Sequence, residues 1–361
     1  INNFLESFLM DYVIVHYGEI GIKGKNRSYF EKKLIDNIRW KVRGQGVKVR
    51  RIYGRILLEL DTTVNKTLLK QHLQEIFGIT SFSFCLLCSN TVEDMQKTAL
   101  LLVDKTQTFK VHAKRGLKSF PLDSVSINKH LGTFLEQQGF HADLESAQQA
   151  LYLELTEKGC FMYTHKHKGL GGLPVGVSGK LISLLSGGID SPVASFQMMK
   201  RGCSVIFVHF FNYTSVNQKV KEKIIGLVET LSKYQFKSVL YLVPFLELQK
   251  EIIKHIPSAL RMLVYRRYML YIAEKILEQE GASGFITGDS LAQVASQTTL
   301  NLVTIHQATI LPIYSPLISF DKQEIIALAK ALGTYDTSIL PYEDCCSYFV
   351  AEHPETAAEL K

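Results

Sequence analysis

Ser186-Gly187-Gly188-Ile189-Asp190-Ser191 is the stretch on which the reading of this 361-residue chain turns. It follows an apolar run, Leu181-Ile182-Ser183-Leu184-Leu185, and precedes a helix-like stretch over 192–201. Strand, glycine-rich turn and helix in that order aim backbone N–H groups and the positive end of a helix at a phosphate. Pro192 suits the start of such a helix, where its missing N–H costs nothing. The loop lacks the lysine of GxxxxGK[ST] and the spacing of GxGxxG, which argues against two common nucleotide loops. An ordinary tight strand-to-helix turn would also contain Gly-Gly and Ser, so the hexapeptide gains meaning only from its surroundings.

Beyond it, apolar runs at 181–185, 205–210, 239–245 and 284–287, with a weaker one at 311–313, alternate with helical patterns at 192–201, 218–234, 258–280 and 321–332. Near-continuous apolar strands separated by helices predict a parallel sheet covered on both faces, with the ligand at the carboxyl ends of the strands. Before it, 169–179 is rich in Gly with one Pro and has no apolar period, which places a boundary there. Upstream, strands are expected at 12–17, 47–51 and 55–60 and a helix at 27–43, with Tyr53-Gly54 marking a hairpin and a second helix at 64–77. Two β-α-β halves of this kind predict a ferredoxin-like unit. A second α+β unit follows, with strands at 81–88, 109–114, 151–156 and 160–165 and helices at 92–104 and 124–138. Boundaries are expected at 11–75, 76–167, a linker at 168–177, and 178–361.

The composition, 46% hydrophobic and 21% charged, is that of a globular protein, and 361 residues call for two or three domains. No apolar run approaches the ~18 residues needed to span a bilayer, so no membrane partner is expected. Six cysteines without a signal-like start predict a reducing, cytoplasmic setting. The net charge of +7 is unevenly placed: residues 11–60 carry 12 Lys/Arg against 5 Asp/Glu, and residues 105–130 carry 6 against 1. Such clustering points to a polyanion, nucleic acid first, although a solvated basic face would look the same.

Ser186–Ser191 reads as SGGxDS, the pyrophosphate loop of ATP pyrophosphatases. Taken with Tyr17-Gly18-Glu19-Ile20, Lys23-Gly24-Lys25-Asn26-Arg27, Gly169-Leu170-Gly171-Gly172-Leu173-Pro174-Val175-Gly176, Gly288-Asp289-Ser290-Leu291-Ala292-Gln293-Val294-Ala295-Ser296-Gln297 and Pro341-Tyr342-Glu343-Asp344-Cys345-Cys346, the chain resembles the tRNA 4-thiouridine synthetases. These are ATP-dependent tRNA sulfurtransferases also linked to thiamine thiazole synthesis. The resemblance implies an α/β and α+β multidomain chain: ferredoxin-like, THUMP RNA-binding, and a parallel-sheet pyrophosphatase domain. It implies sulfur transfer to the uridine at the acceptor/D-arm corner of tRNA. O4 would be adenylated with release of pyrophosphate, and a persulfide would then attack, giving 4-thiouridine. Longer relatives carry a rhodanese-like domain; this chain is expected to be a short form without one, which weakens the thiamine role. The oligomeric state stays open, with a homodimer as one reading.

By resemblance, ATP would be held by Leu184, Leu185, Ser186, Gly187, Gly188, Asp190, Ser191, His209, Phe210, Arg266, Gly288 and Gln297. His209 would contribute backbone contact, and Arg266 is preferred to its neighbour Arg267. Asp190 would act near Mg²⁺ or orient the phosphates, and Lys322 would stabilise the leaving group. Cys345 would carry a persulfide delivered by a cysteine desulfurase, with Cys346 as its rival. Lys110, His112, Lys114, Arg115 and Lys118 would contact the 3′ end of the acceptor arm, binding phosphates without reading sequence. Cys85 and Cys88 have metal spacing but sit in an apolar run, which favours core packing. No cysteine falls in 258–271, where a subgroup carries an iron–sulfur cluster, so no cluster is expected. Another pyrophosphatase-loop enzyme, or a non-catalytic tRNA-binding protein with a vestigial ATP site, remain the alternatives.

Overall fold

The computed structural model describes residues 10–52, 54–212, 218–341 and 353–358. They fall into two compact units, Ile1–Gly172 and Leu173–Lys361.

The first unit opens with β1 (Tyr12–His16), α1 (Arg27–Lys41), β2 (Val47–Ile52), β3 (Arg55–Leu60), α2 (Lys66–Gln74) and β4 (Ser81–Cys88). Strand order β2-β3-β1-β4 is that of a ferredoxin-like fold. Gly54, at φ +74°, makes the β2–β3 turn, a backbone region open to glycine at little cost. The second half adds α3 (Val92–Leu102), β5 (Phe109–Arg115), α4 (Ser124–Gln137), β6 (Gln149–Thr156), β7 (Gly159–Tyr163) and β8 (His167–Lys168). β4 pairs with β1 on one side and with β7 and β8 on the other, so one sheet in the order β2-β3-β1-β4-β7-β6-β5 runs through both halves.

Period-two alternation sorts the strand side chains between faces. Val13 and Val15 of β1 join Ile56, Leu58 and Phe82 beneath the cluster that includes Leu34, Ile38, Leu69 and Leu73. Leu151, Leu153 and Leu155 of β6 pack with Ile127, Leu131 and Leu135 of α4. Ile14, Leu57, Cys85, Phe161 and Tyr163 form a third cluster. Cys85 thus lies in the core and Cys88 beside it, its thiol donating to the Cys160 carbonyl.

The second unit is a five-stranded parallel sheet in the order β11-β10-β9-β12-β13, formed by β9 (Lys180–Leu184), β10 (Ser204–Phe211), β11 (Leu240–Pro244), β12 (Phe285–Ile286) and β13 (Ile313–Tyr314). Its helices are α5 (Asp190–Lys200), α6 (Gln218–Ser232), α7 (Leu246–His255), α8 (Arg261–Glu280), α9 (Thr299–His306), α10 (Lys322–Leu332) and α11 (Tyr335–Ser338). α8 begins after a single 3₁₀ turn and stops at Gly281, whose φ of +60° suits a residue without Cβ. α10 opens with a capping box, Asp321 and Glu324 exchanging side-chain and backbone bonds. α7, α9 and α11 are additions to the helices legible in the sequence.

Residues 169–178 are tied down at the backbone. Gly169 and Gly171 donate to Thr80 and Ile79, whereas Leu173 and Gly176 donate to Lys200 and Gly202. No helix among the described residues is long and apolar enough to cross a membrane.

Candidate nucleotide site and basic strand

β9 ends at Leu184, and the chain turns through 185–189 into α5, whose first residue is Asp190. Pro192 is therefore its third residue, still within the first turn, where no intrahelical N–H bond is lost. The hydroxyls fix the turn: the Ser186 N–H donates to Ser191 Oγ at 2.9 Å, and the Gly188 N–H donates to Ser186 Oγ at 3.2 Å. Ser195 anchors the helix start, donating to the Ser191 carbonyl at 2.8 Å.

The end of β12 closes against this turn. A Cβ on Gly288 would lie 2.8 Å from the Ser191 nitrogen and 3.0 Å from the Asp190 carbonyl carbon, so only glycine fits. The close backbone approach expected at Gly288 is thus made to the helix start of the loop itself.

A cavity of about 510 Å³ opens beside the loop at the carboxyl ends of β9 and β12. Leu184, Ser186, Asp190, Ser191, Arg266, Gly288 and Gln297 line it. Met262, Leu263, Met269, Leu270, Ile305 and Ile313 supply its apolar wall. The cavity is not lined by Leu185, Gly187, Gly188, His209 or Phe210. His209 is buried in β10, and its ring Nδ1–H donates to the Leu185 carbonyl at 2.8 Å. The Leu185 N–H donates to Val208, so β10 braces the loop entrance.

Asp190 is the charged centre of the loop. Lys322, the first residue of α10, donates to its Oδ1 at 2.6 Å from 132 positions away. Gln293 donates to its Oδ2 at 3.0 Å. Gln293 follows Ala292, the one described non-glycine residue with positive φ, at +60°. Such strain persists only where the surroundings enforce it, and it concentrates at functional sites.

Asp289 forms a second node. Its carboxylate, 3% exposed, accepts from a single Arg266 nitrogen, Nη2, at both oxygens (2.8 Å to Oδ1 and 2.7 Å to Oδ2), and Gln297 Nε2 donates to Oδ1 at 3.1 Å. Burial pushes this carboxyl up, but the guanidinium and the donated hydrogen bonds outweigh it and hold it below the ordinary value. Arg267 points elsewhere, to the Thr304 carbonyl and the Tyr271 hydroxyl. His306 also lines the cavity; burial lowers its imidazole pKa, with Asp289 opposing and Arg266 reinforcing.

Residues 353–358 complete the rim. Asn301, fully buried, donates to the Glu355 carbonyl and accepts from the Ala358 N–H, and Thr304 donates to the Ala358 carbonyl. Pro354 and Glu355 line the cavity. Lys223 anchors the chain on the other side, donating to the carbonyls of Ser338 and Leu340 at 2.9 Å. Cys345 and Cys346 lie outside the described residues. Among those described, no group of three or more His, Cys, Asp or Glu is placed to hold a metal.

In the first unit, Lys110, His112, Lys114 and Arg115 lie on the edge strand β5, and Lys118 is in the exposed turn after it. Lys110, His112 and Lys114 alternate with buried Phe109 and Val111, so they share one face. His112 stacks on Tyr152 (5.5 Å between centroids, 13° between planes), and Lys166 stands 3.6 Å above the Tyr152 ring. Arg115 uses one nitrogen to hold the Phe120 carbonyl. Tyr152, Lys166, Gln293 and Asp289 thus join the sites without having been singled out in the sequence. Only the period-two alternation of β6 and the motif around 288–297 hinted at them.

The family model described as thiamine biosynthesis protein (ThiI) matches residues 176–361. The ThiI ferredoxin-like domain matches 12–83, and the THUMP domain matches 89–165. A Caldanaerobacter subterraneus protein described as a "probable tRNA sulfurtransferase" is 40% identical over 358 residues, 98% of this chain and 93% of the relative. A Thermus thermophilus protein of the same description is 41% identical, covering 96% of this chain and 86% of its own. The fold matches a crystal structure of a 4-thiouridine synthetase–RNA complex with bound ATP. The TM-score is 0.87 at 38% identity, over 96% of this chain and 91% of the other.

Proposed function

We propose, from the premise that the chain belongs to the ThiI family, that it is an ATP-dependent tRNA sulfurtransferase making 4-thiouridine. The observation that carries this reading is the Asp190–Lys322 pair on a glycine-rich strand-to-helix loop at the mouth of a cavity of nucleoside size. We divide the chain at 11–75, 76–167, a 168–177 linker, and 178–361.

The uridine carbonyl oxygen O4 is a poor leaving group. In this reading O4 attacks the α-phosphorus of ATP, the bond to the β-phosphate oxygen breaks, and pyrophosphate leaves. Ser186, Gly187, Gly188 and Ser191 cradle the pyrophosphate with N–H groups and hydroxyls, while Leu184, Leu185, His209, Phe210, Arg266, Gly288 and Gln297 surround the adenosine. Lys322 gives the developing negative charge a cation, and Asp190 orients it. Mg²⁺, bound mainly through phosphate oxygens, would neutralise charge there. Asp190 is the loop carboxylate suited to it, in keeping with the one or two carboxylates this ion takes.

The persulfide on Cys345 then attacks C4, and AMP leaves with the former O4. A second thiol splits the C4–S–S–Cys link, leaving 4-thiouridine and a disulfide for an external thiol to reduce. A cysteine desulfurase supplies the persulfide sulfur, in the cytoplasm where tRNA is modified. The same persulfide would serve thiamine thiazole synthesis, a role that rests on the family description. Lys110, His112 and Lys114 on one face of β5, with Arg115 at the end of the strand and Lys118 in the turn beyond it, grip the tRNA through phosphates and leave sequence unread.

The test is incubation with unmodified tRNA, Mg·ATP, a cysteine desulfurase and cysteine, followed by nucleoside analysis. The reading expects 4-thiouridine and AMP in equal amounts; absence of both would sink it.

A further inference from the structure

Sulfur transfer leaves Cys85 and Cys88 unused, and their CxxC spacing does not make them a pair. Both lie in β4, where side chains three apart point to opposite faces. Cys85 is buried with Ile14, Leu57, Phe161 and Tyr163, and its thiol donates to the Tyr12 carbonyl. Cys88 faces the other way, against the cluster that holds Met95, Ala99 and Met162. Its neighbour there is remote in sequence: the antiparallel β4–β7 register sets Cys88 opposite Cys160. Opposed residues of such a pair share a face with Cβ atoms roughly 4.5–5.5 Å apart, close to the roughly 3.5–4.5 Å that a disulfide spans. Both thiols are free and hydrogen-bonded to one another, and Cys88 Sγ lies 3.6 Å from the Cys160 carbonyl oxygen. The pair is asymmetric. Cys160 is fully buried, whereas Cys88 is only partly so. The hydrogen bond from Cys160 draws the Cys88 thiol below its ordinary value, with burial opposing and the Thr98 hydroxyl assisting. Cys88 thus suits attack on a small disulfide, with a second thiol waiting behind it.

We propose that Cys88 and Cys160 form a reversible disulfide by exchange with a small-molecule disulfide such as oxidised glutathione, locking β4 to β7. The Cys88 thiolate attacks one sulfur of the small disulfide. That S–S bond breaks, a mixed disulfide forms, and the first small thiolate leaves and takes up the proton that Cys88 gave to solvent. Cys160 then attacks the Cys88 sulfur, its proton passing to the second small thiolate as it leaves. Two protein thiols are oxidised, and one small disulfide is reduced to two thiols. Neither ATP nor tRNA enters this step. The bridge would close residues 89–159 into a loop, most of the stretch that matches the THUMP domain.

The test holds the full chain in an excess of oxidised over reduced glutathione, alkylates the remaining thiols in denaturant, and maps the peptides by mass spectrometry. The expected result is a Cys88–Cys160 crosslink, undone by dithiothreitol, with Cys85 recovered alkylated. The melting transition of the first unit, Ile1–Gly172, should rise by about 5–10 °C and fall back on reduction. The double variant Cys345→Ser/Cys346→Ser should keep the crosslink and the rise, because neither residue belongs to the pair. Cys88→Ser should lose both, and Cys160→Ala should stop at the mixed disulfide on Cys88. If either of these variants does not fold, the peptide map of the native chain decides alone. A native chain whose Cys88 is recovered alkylated, joined to Cys85 or left as the mixed disulfide overturns the proposal. So does a crosslinked chain that melts no higher than the reduced one.

Discussion

Lys322→Met separates a catalytic cation from a structural one. Lys322 is 41% exposed and its partner Asp190 21%, so solvent screens the pair. Ion pairs of that exposure contribute about 0–1 kcal/mol to stability. The unit that contains it spans 189 residues, Leu173–Lys361, where 1 kcal/mol corresponds to about 2–4 °C in Tm. Gln293 still holds the other oxygen of Asp190 in the variant, and methionine keeps the length of the apolar stem. Folding should therefore be nearly untouched. Electrostatic stabilisation of charge that develops only in the transition state is worth about 3–4 kcal/mol, or 10²–10³ in rate. The expected result is a fall in kcat of that size for tRNA-dependent pyrophosphate release, with KM for ATP changed by no more than about threefold. Thermal melts of the same preparation provide the control. A kcat within about fivefold of the native chain would refute the role assigned to Lys322, and so would a loss matched by unfolding.

In the first unit, Glu154 is held by His16, Tyr163 and Arg55, all reaching it across the sheet. Burial pushes its carboxyl up, yet these partners win and hold it at about 2. A folded value below the ordinary one gives stability that is fully present above about 4.5 and is lost as pH falls toward 2, about 3 kcal/mol in all. Glu154→Gln should destabilise by about 3–5 kcal/mol at pH 7 by leaving Arg55 buried without its counter-charge, and urea titrations should show the acid-side slope flattened. Gly288→Ala should weaken ATP binding at least tenfold because its Cβ meets the Ser191 nitrogen at 2.8 Å; calorimetric titration of Mg·ATP checks it. Cys345→Ser should abolish 4-thiouridine while pyrophosphate is still released, and Cys346→Ser should keep both; the reverse pattern would move the persulfide to Cys346.

The loop at 186–191 was legible because strand, Gly-Gly turn and helix start follow one another without a break in the sequence, and the five strands of the second unit because each is an apolar run. What joins distant positions was not. Nothing near Lys322 in sequence announces Asp190, and nothing in the motif 288–297 says that Asp289 holds Arg266 while Gln293 holds Asp190. α9 escaped because it is apolar on both sides: Leu302 and Ile305 are buried while Leu300 and Val303 are exposed, so no single stripe marks it. In the first unit the basic strand β5 could be read from its alternation, but the stack of His112 on Tyr152 under Lys166 needed the β5–β6 register.

The central claim is that uridine O4 is activated by attack on the α-phosphorus. A tRNA carrying ¹⁸O at O4 of the target uridine tests it in one turnover assay with Mg·ATP and a persulfide source. The account predicts that the label leaves the base and appears in AMP, one atom for each 4-thiouridine formed. Unlabelled AMP alongside 4-thiouridine, or ADP in place of AMP, would contradict it.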